Sequence, residues 1–385
     1  METIVAILII LTFSTLMGEI FARLGLEKIA GQLLSGIILG PLLLNLIRPQ
    51  DVIQIKDLAI FFIILYIGIE VTTDLFKKGI KKAVILSISS FIIPMILLSL
   101  IMILMFKFSL SSSVSMSMAI AVPSISIISV LVLGAGMIKS EEGQGILFAT
   151  VLSDLIAFVI LSVFYVGVKG ISLMLIVIAG FLLFIFIIDN LFIKKGISVE
   201  KIKFISEISK EEGIFTIILL FSLAVASIFL YVGVSFILGV FFAGVLIREE
   251  ILGKEIYNRI LGTLRILNNT FFIPLFFSIA GLITSVPTGE YAIILLIALS
   301  IELLLPFISD YLVAKKFYGR DARRVAGILS GRGAVGLLIA TLGLSYSIIN
   351  SSQYSVIIIA TLVLSLYGSI IIRGQSKKID IRTAD

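Results

Sequence analysis

The sequence predicts an all-α membrane protein of about thirteen transmembrane helices, built as an inverted repeat with two crossed, interrupted helices. Three observations carry this fold class. Hydrophobic residues make up 59% of the 385 residues and charged residues only 14%, with a mean hydropathy of +1.23; soluble domains rarely exceed about half apolar residues. The basic residues collect on one side of the membrane when the spans number thirteen. The two halves of the chain echo each other at an offset of roughly 205 residues.

Hydrophobic windows place spans near 2–22, 29–47, 57–73, 83–106, 112–137, 143–167, 170–189, 213–230, 233–247, 260–285, 290–314, 324–346 and 353–372. The first run, ETIVAILIILTFSTLMGEIF, has neither a basic leader nor a small-residue cleavage site, so it reads as a retained span. The eighth and ninth are separated only by Tyr231-Val232-Gly233. With the N-terminus outside and the C-terminus cytoplasmic, all but six of the 30 Lys and Arg residues face the cytoplasm. Of the six, Arg48, Lys56, Lys107 and Lys169 lie outside, and Arg265 and Arg332 lie within or at the edge of spans. Twelve spans would break this parity. The +6 charge therefore reflects topology in a multi-pass cell-membrane protein rather than a nucleic-acid partner. The chain has no Cys, His or Trp. Disulfides, thiol chemistry and histidine-based metal sites or proton relays are excluded, and no cofactor is implied.

The second span (LLSGIILGPLL) resembles the ninth (FILGVFFAGVLI), and the third (IFFIILYIGIE) resembles the tenth (TFFIPLFFSIAG). Spans 1–6 then match spans 8–13, with the seventh as an odd linker that inverts the second repeat. Residues 1–167 form the first repeat, 168–212 a linker helix and cytoplasmic loop, and 213–385 the second repeat. Inverted repeats with a midplane site made from interrupted helices are a secondary-transporter architecture.

Asp154 stands near the middle of the apolar stretch GQGILFATVLSDLIAFVILSVFYVG. A helix-centre Asp costs roughly 2.5–3.5 kcal/mol on insertion scales, so intramembrane acids usually line a substrate, ion or proton path. The alternative is an acid satisfied by a partner within the bundle. From Gly143 to Asp154 is about 16 Å at the helical rise, about half of the hydrocarbon core. Span five (MAIAVPSISIISVLVLGAG) carries Pro123, and span twelve (AGILSGRGAVGLLIATLG) carries Gly331-Arg332-Gly333. Both lie about 15–16 Å deep, level with Asp154. Pro removes a backbone donor and Gly-x-Gly loosens a helix. Backbone groups freed in lipid are tolerated only where they are buried in protein or line an aqueous cavity. Two breaks and an acid at one depth form a candidate cation site.

GQLLSGIILGPLL in span two, FFIILYIGIE in span three, LSD in span six and SGRGAVGLLIA in span twelve together resemble the monovalent cation:proton antiporter superfamily. Its members exchange Na⁺ or K⁺ for H⁺, and the resemblance covers almost the whole chain. It implies alternating-access exchange of a monovalent cation, Na⁺ in the first place and K⁺ as the alternative, for H⁺. It also implies that Asp154 is the aspartate that binds the transported metal ion or the proton. Ser153 stands where sodium exchangers usually carry Asn or Asp and potassium-type members often Gln, a departure that bears on selectivity and stoichiometry. Ser124 and Ser126 fall where the family's fifth helix supplies hydroxyl or carbonyl oxygens.

Arg332 matches the family's frequent twelfth-helix arginine; always charged, it needs an acidic partner, for which Glu302 and Glu70 are the candidates. Electrogenic relatives place a Lys near the position of Pro306-Phe307, and this chain has no basic residue there. That implies one exchangeable carboxylate and electroneutral exchange. The resemblance further implies that spans 4–6 and 11–13 form a moving transport unit, and spans 1–3 and 7–10 a static dimerisation unit of a homodimer. The chain ends at Asp385, without the nucleotide-binding C-terminal domain of many potassium-efflux relatives.

A carboxylate among Ser hydroxyls and carbonyl oxygens holds a dehydrated cation or a proton, not both. Either load leaves the site near neutral and cheap to move through a low-dielectric barrier, while the empty charged site is costly to move. The sequence argues against an enzyme: it has no GxGD aspartyl-protease motif, and without His neither H-E-x-x-H nor a Ser/His dyad can form. A passive cation channel and a sodium-coupled organic-anion carrier of a related crossed-helix fold are the alternatives. The GRGAV segment and the lone LSD acid favour antiport.

Overall fold

The computed structural model describes residues 2–70, 80–137, 140–166, 211–231 and 235–382, with scattered positions between 172 and 183. Among the described residues every regular element is a helix. They run α1 (Thr3–Arg23), α2 (Lys28–Leu39), α3 (Lys56–Glu70) and α4 (Ile80–Ser87), which passes through a π turn at Ile88–Ile92 into α5 (Ile93–Phe106). Then come α6 (Leu110–Ala121), α7 (Ile125–Gly134), α8 (Glu141–Val166), α9 (Glu211–Tyr231), α10 (Phe236–Leu246) and a single turn at Glu249–Leu252. Helix α11 (Lys254–Leu267) passes through a second π turn at Asn268–Phe272 into α12 (Ile273–Ile283). The chain continues as α13 (Glu290–Tyr318), α14 (Ala322–Leu329), α15 (Ala334–Ser345) and α16 (Ser351–Arg382).

Among the described residues, six stretches are long and apolar enough to cross a membrane: Thr3–Arg23, Lys81–Phe106, Glu141–Phe164, Gly213–Tyr231, Lys254–Ile283 and Glu290–Leu329. The expected seventh span at 170–189 and the linker 168–212 around it fall mostly outside the described residues. So do Lys77, Lys78, Lys139, Lys169, Lys194, Lys195, Lys201, Lys203, Lys210 and the Val232-Gly233 pair between the eighth and ninth spans.

Where helices stop, local chemistry explains it. The span expected at 29–47 ends as a helix at Leu39 because Gly40 precedes Pro41 and is extended (φ −80°, ψ −177°), the conformation that a following proline imposes. The expected spans five and twelve each appear as two pieces, α6 with α7 and α14 with α15. The π turns have one cause in common. Ile93 N–H reaches back five residues to Ile88 O, and Ile273 N–H to Asn268 O. The next residues, Pro94 and Pro274, have no N–H to continue the ladder, so one extra residue is absorbed.

The chain forms two compact units. One comprises Met1–Lys56, Asp74–Ala157 and Pro274–Asp385; the other comprises Asp57–Thr73 and Phe158–Ile273. In the first, α2 and α12 meet backbone to backbone at Gly36, where a Cβ would lie 1.9 Å from Ser278 O. The Ser35 and Ser278 hydroxyls bond at 2.7 Å beside that contact. The second contains paired rings: Phe62 stacks on Phe272 at 4.2 Å, and Phe241 lies 5.8 Å from Phe158. Burying such aromatic pairs stabilises beyond their area alone, by about 0.5–1.5 kcal/mol each.

Candidate functional site

The two helix breaks lie in the first unit and meet. Val122 precedes Pro123 and is extended (φ −65°, ψ 127°), which ends α6 at Ala121. Ser124, also extended, opens α7. The second break runs through Ser330, Gly331, Arg332 and Gly333, between α14 and α15. Pro123 and Arg332 pair as an isolated antiparallel bridge, and Ser124 N–H donates to Gly331 O at 3.0 Å. Each break thus supplies hydrogen-bond partners to the other, as apolar surroundings require. The close approach depends on Gly336, where a Cβ would sit 2.0 Å from Ala119 O.

Arg332 is 1% exposed and fully engaged. Its Nε donates to Glu302 Oε2 at 3.0 Å, Nη1 to Leu329 O at 3.0 Å and Nη2 to Ser90 O at 2.8 Å. The Ser90 carbonyl is available because Pro94, four residues on, has no N–H. Glu302 lies on a buried stripe of α13 that repeats every fourth residue: Ile294, Ala298, Glu302, Pro306, Asp310, Ala314. Glu302 Oε1 has no hydrogen-bond partner among the described residues.

Asp154, 1% exposed, lies midway along α8, and its Oδ1 has no hydrogen-bond partner among the described residues. The preceding Ser153 hydroxyl donates to Ala149 O and pairs with the Ser87 hydroxyl, each at 2.9 Å. Residues 87–90 therefore contact Asp310 and Arg332 directly and reach the neighbour of Asp154. Ser87 meets Ser153 beside Asp154, Ser89 donates to Asp310 Oδ1 at 2.6 Å, and the Ser90 carbonyl receives Arg332. The Ser89 carbonyl, left without the N–H of Pro94, accepts the Ser309 hydroxyl at 2.8 Å.

Pro123, Ser124, Gly331, Arg332, Gly333 and Glu302 come together around the paired breaks. Asp154 and Ser153 join them through the serines of 87–90. Ser126 is the second residue of α7. Glu70 belongs to the second unit, at the end of α3, where its carboxylate accepts the Tyr66 hydroxyl; Arg265 Nε donates to that same hydroxyl oxygen at 3.3 Å. Of the two acids weighed for Arg332, Glu302 is the one that binds it. Sequence reasoning missed Ser87, Ser89, Ser90 and Asp310. For Asp310 a signal existed: it follows Glu302 by two steps of four and shares its face of the helix.

Residues 7–374 match the family model described as sodium/hydrogen exchanger, transmembrane. A Na⁺/H⁺ antiporter of Enterococcus hirae is 24% identical, over 98% of this chain and 99% of that protein. The Na⁺/H⁺-K⁺ antiporter GerN of Bacillus cereus is 22% identical, over 94% of this chain and 92% of GerN. Among solved structures, the sodium proton antiporter MjNhaP1 of Methanocaldococcus jannaschii superposes with a TM-score of 0.69, at 17% identity, covering 97% of this chain and 96% of MjNhaP1. That likeness concerns the fold. With the family model spanning nearly the whole sequence, the chain belongs to the sodium/hydrogen exchanger family.

Proposed function

We propose that the protein exchanges a monovalent cation, Na⁺ first and K⁺ second, for a proton, with Asp154 carrying each in turn. The observation that carries this reading is Asp154 itself, a buried carboxylate with an unpartnered Oδ1 in an apolar helix. A cation or a proton neutralises that oxygen, and the competition between them couples the two fluxes. Ser153, Ser124 and Ser126 are the candidate oxygen donors to the cation. Arg332 and Glu302 hold the second break in place and do not touch the transported cation. Family membership and antiporter relatives favour exchange over a channel or an organic-anion carrier.

The finer architecture belongs to the same proposal. The chain crosses the cell membrane about thirteen times with its N-terminus outside and its C-terminus in the cytoplasm, as an inverted repeat of spans 1–6 and 8–13. Spans 4–6 and 11–13 move as the transport unit, and spans 1–3 and 7–10 hold a homodimer. The breaks and Asp154 fall in spans 5, 12 and 6, all within the moving part.

The test is proton flux in proteoliposomes containing a pH dye, with Na⁺ and K⁺ applied separately. Cation-dependent proton movement is expected for at least one of them. Cation flux without proton movement would establish a channel instead. The exchange is one for one: an imposed potassium–valinomycin potential should leave the sodium-driven rate unchanged. With two protons per cation, 100 mV would add about 2.3 kcal/mol of driving force per cycle. A current lost in Glu302→Gln would then make Glu302 a second transport carboxylate.

A further inference from the structure

Several buried hydroxyls on the other helices share one habit. Ser99 donates to Met95 O, Thr150 to Ile146 O, Ser162 to Phe158 O and Thr341 to Leu337 O, each to the carbonyl four residues back. Helix α6 departs from it. Ser112, Ser113, Ser115 and Ser117 are buried, none more than 6% exposed, and their hydroxyls have no hydrogen-bond partner among the described residues. A buried hydroxyl left dry forfeits its hydrogen bonds to water without replacement, so four on one helix call for a polar occupant.

The helix that carries this set meets polar groups at two places. Ser112 lines a cavity of about 530 Å³ whose walls include Ser109, Ser347, Asn350 and Gln353. Toward the interior, α6 packs against the π turn at Ile88–Ile92. There the Ser90 hydroxyl is again buried and unpartnered, while the Ser90 carbonyl holds Arg332. Glu302, on the other side of Arg332, keeps Oε1 unpartnered. Ser113 and Ser117 are spaced one helical turn apart on one face, about 5–6 Å between Cβ atoms, with Ser112 beside Ser113 at the cavity end. One water bridges such a gap with two hydrogen bonds of about 2.8 Å each, and buried waters usually make two to four.

We propose that α6 carries a file of water from the cavity at Ser112 to the Ser90–Arg332–Glu302 cluster, and that protons move along it. The proton role rests on the exchange reading above; the water file does not, and the two are tested separately. The natural absence of Cys makes single substitutions directly readable. In purified protein, Ser112→Cys, Ser113→Cys and Ser117→Cys should react with a small water-soluble methanethiosulfonate about tenfold or more faster than Ser99→Cys, because thiol reactivity follows access and ionisation. Intact-mass spectrometry reads the rates.

A second measurement needs no substitution. On X-ray radiolysis, water-derived radicals should oxidise Met116 or Met118 of α6 faster than Met102 of α5, all three being fully buried. Equal rates in both comparisons would overturn the water file. For the proton role, Ser117→Val should slow proton flux several-fold while leaving sodium-dependent thermal stabilisation unchanged. Full flux in that variant would overturn it, with the water file judged by the labelling alone.

Discussion

Ile88–Ile92 and Asn268–Phe272 are built alike: five residues of π helix, ISSFI and NNTFF, each followed by Ile-Pro. Their surroundings differ completely. Around the first, two serines and carbonyls freed by Pro94 hold Asp310, Ser309 and Arg332. Around the second, Asn268 Nδ2 spans Leu264 O and Phe62 O, at 2.9 and 3.2 Å, and Phe272 stacks on Phe62. The backbone device is generic. A proline after a π turn offers unbonded carbonyls; at the first turn polar side chains take them, while the second turn sits in aromatic packing.

If that contrast is right, substitutions near the first turn change transport, and those at the second change only stability. The largest effect is expected from Asp154→Asn, which should abolish cation-dependent proton flux while leaving folding and insertion intact; robust flux from purified variant protein would break the assignment. Arg332→Ala should come next. It leaves Glu302 buried and unpaired, a loss of about 3–5 kcal/mol, seen as a fall in Tm with any lost activity following it. A stable variant with altered apparent cation affinity would instead place Arg332 at the ion.

Ser89→Ala and Asn268→Ala form the matched pair. Each strands a buried polar group and should cost about 1–3 kcal/mol. Per folded molecule, exchange should fall in Ser89→Ala and stay unchanged in Asn268→Ala. The opposite pattern would erase the distinction between the turns. The smallest effects sharpen it further: Ser87→Ala loses the bond to Ser153, worth about 1 kcal/mol. Thr270→Ala, at an exposed hydroxyl on the second turn, should stay within about 0.5 kcal/mol by thermal melting.

The helix breaks and the buried acid were legible because their residues are chemically conspicuous. Proline and paired glycines interrupt helices from any sequence context, and an aspartate inside LSDLIAF has no apolar excuse. The Arg332 partner was legible only as a choice, because Glu302 and Glu70 both sit in apolar spans and sequence carries no distance between them. The serines of 87–90 were not legible. A serine in a membrane helix normally satisfies itself on its own backbone, so nothing in SISSFIIP announced that these hydroxyls reach across to Ser153 and Asp310. The extra residue of the π turn also shifts every later side chain by about 100°, a change of register that hydropathy windows average away.

The buried stripe on α13 has a mechanical consequence. Positions four apart advance about 6 Å along the axis and about 40° around it, so Ile294, Ala298, Glu302, Pro306, Asp310 and Ala314 wind about the helix like a thread. A threaded rod in a fitted nut cannot slide without turning. For α13, axial slip by one step would demand that rotation, and it would carry Glu302 off the Arg332 guanidinium and Asp310 off Ser89. The helix is therefore geared to its neighbours, and a displacement of Glu302 must take α14, the Arg332 break and the 87–90 segment along as a single piece.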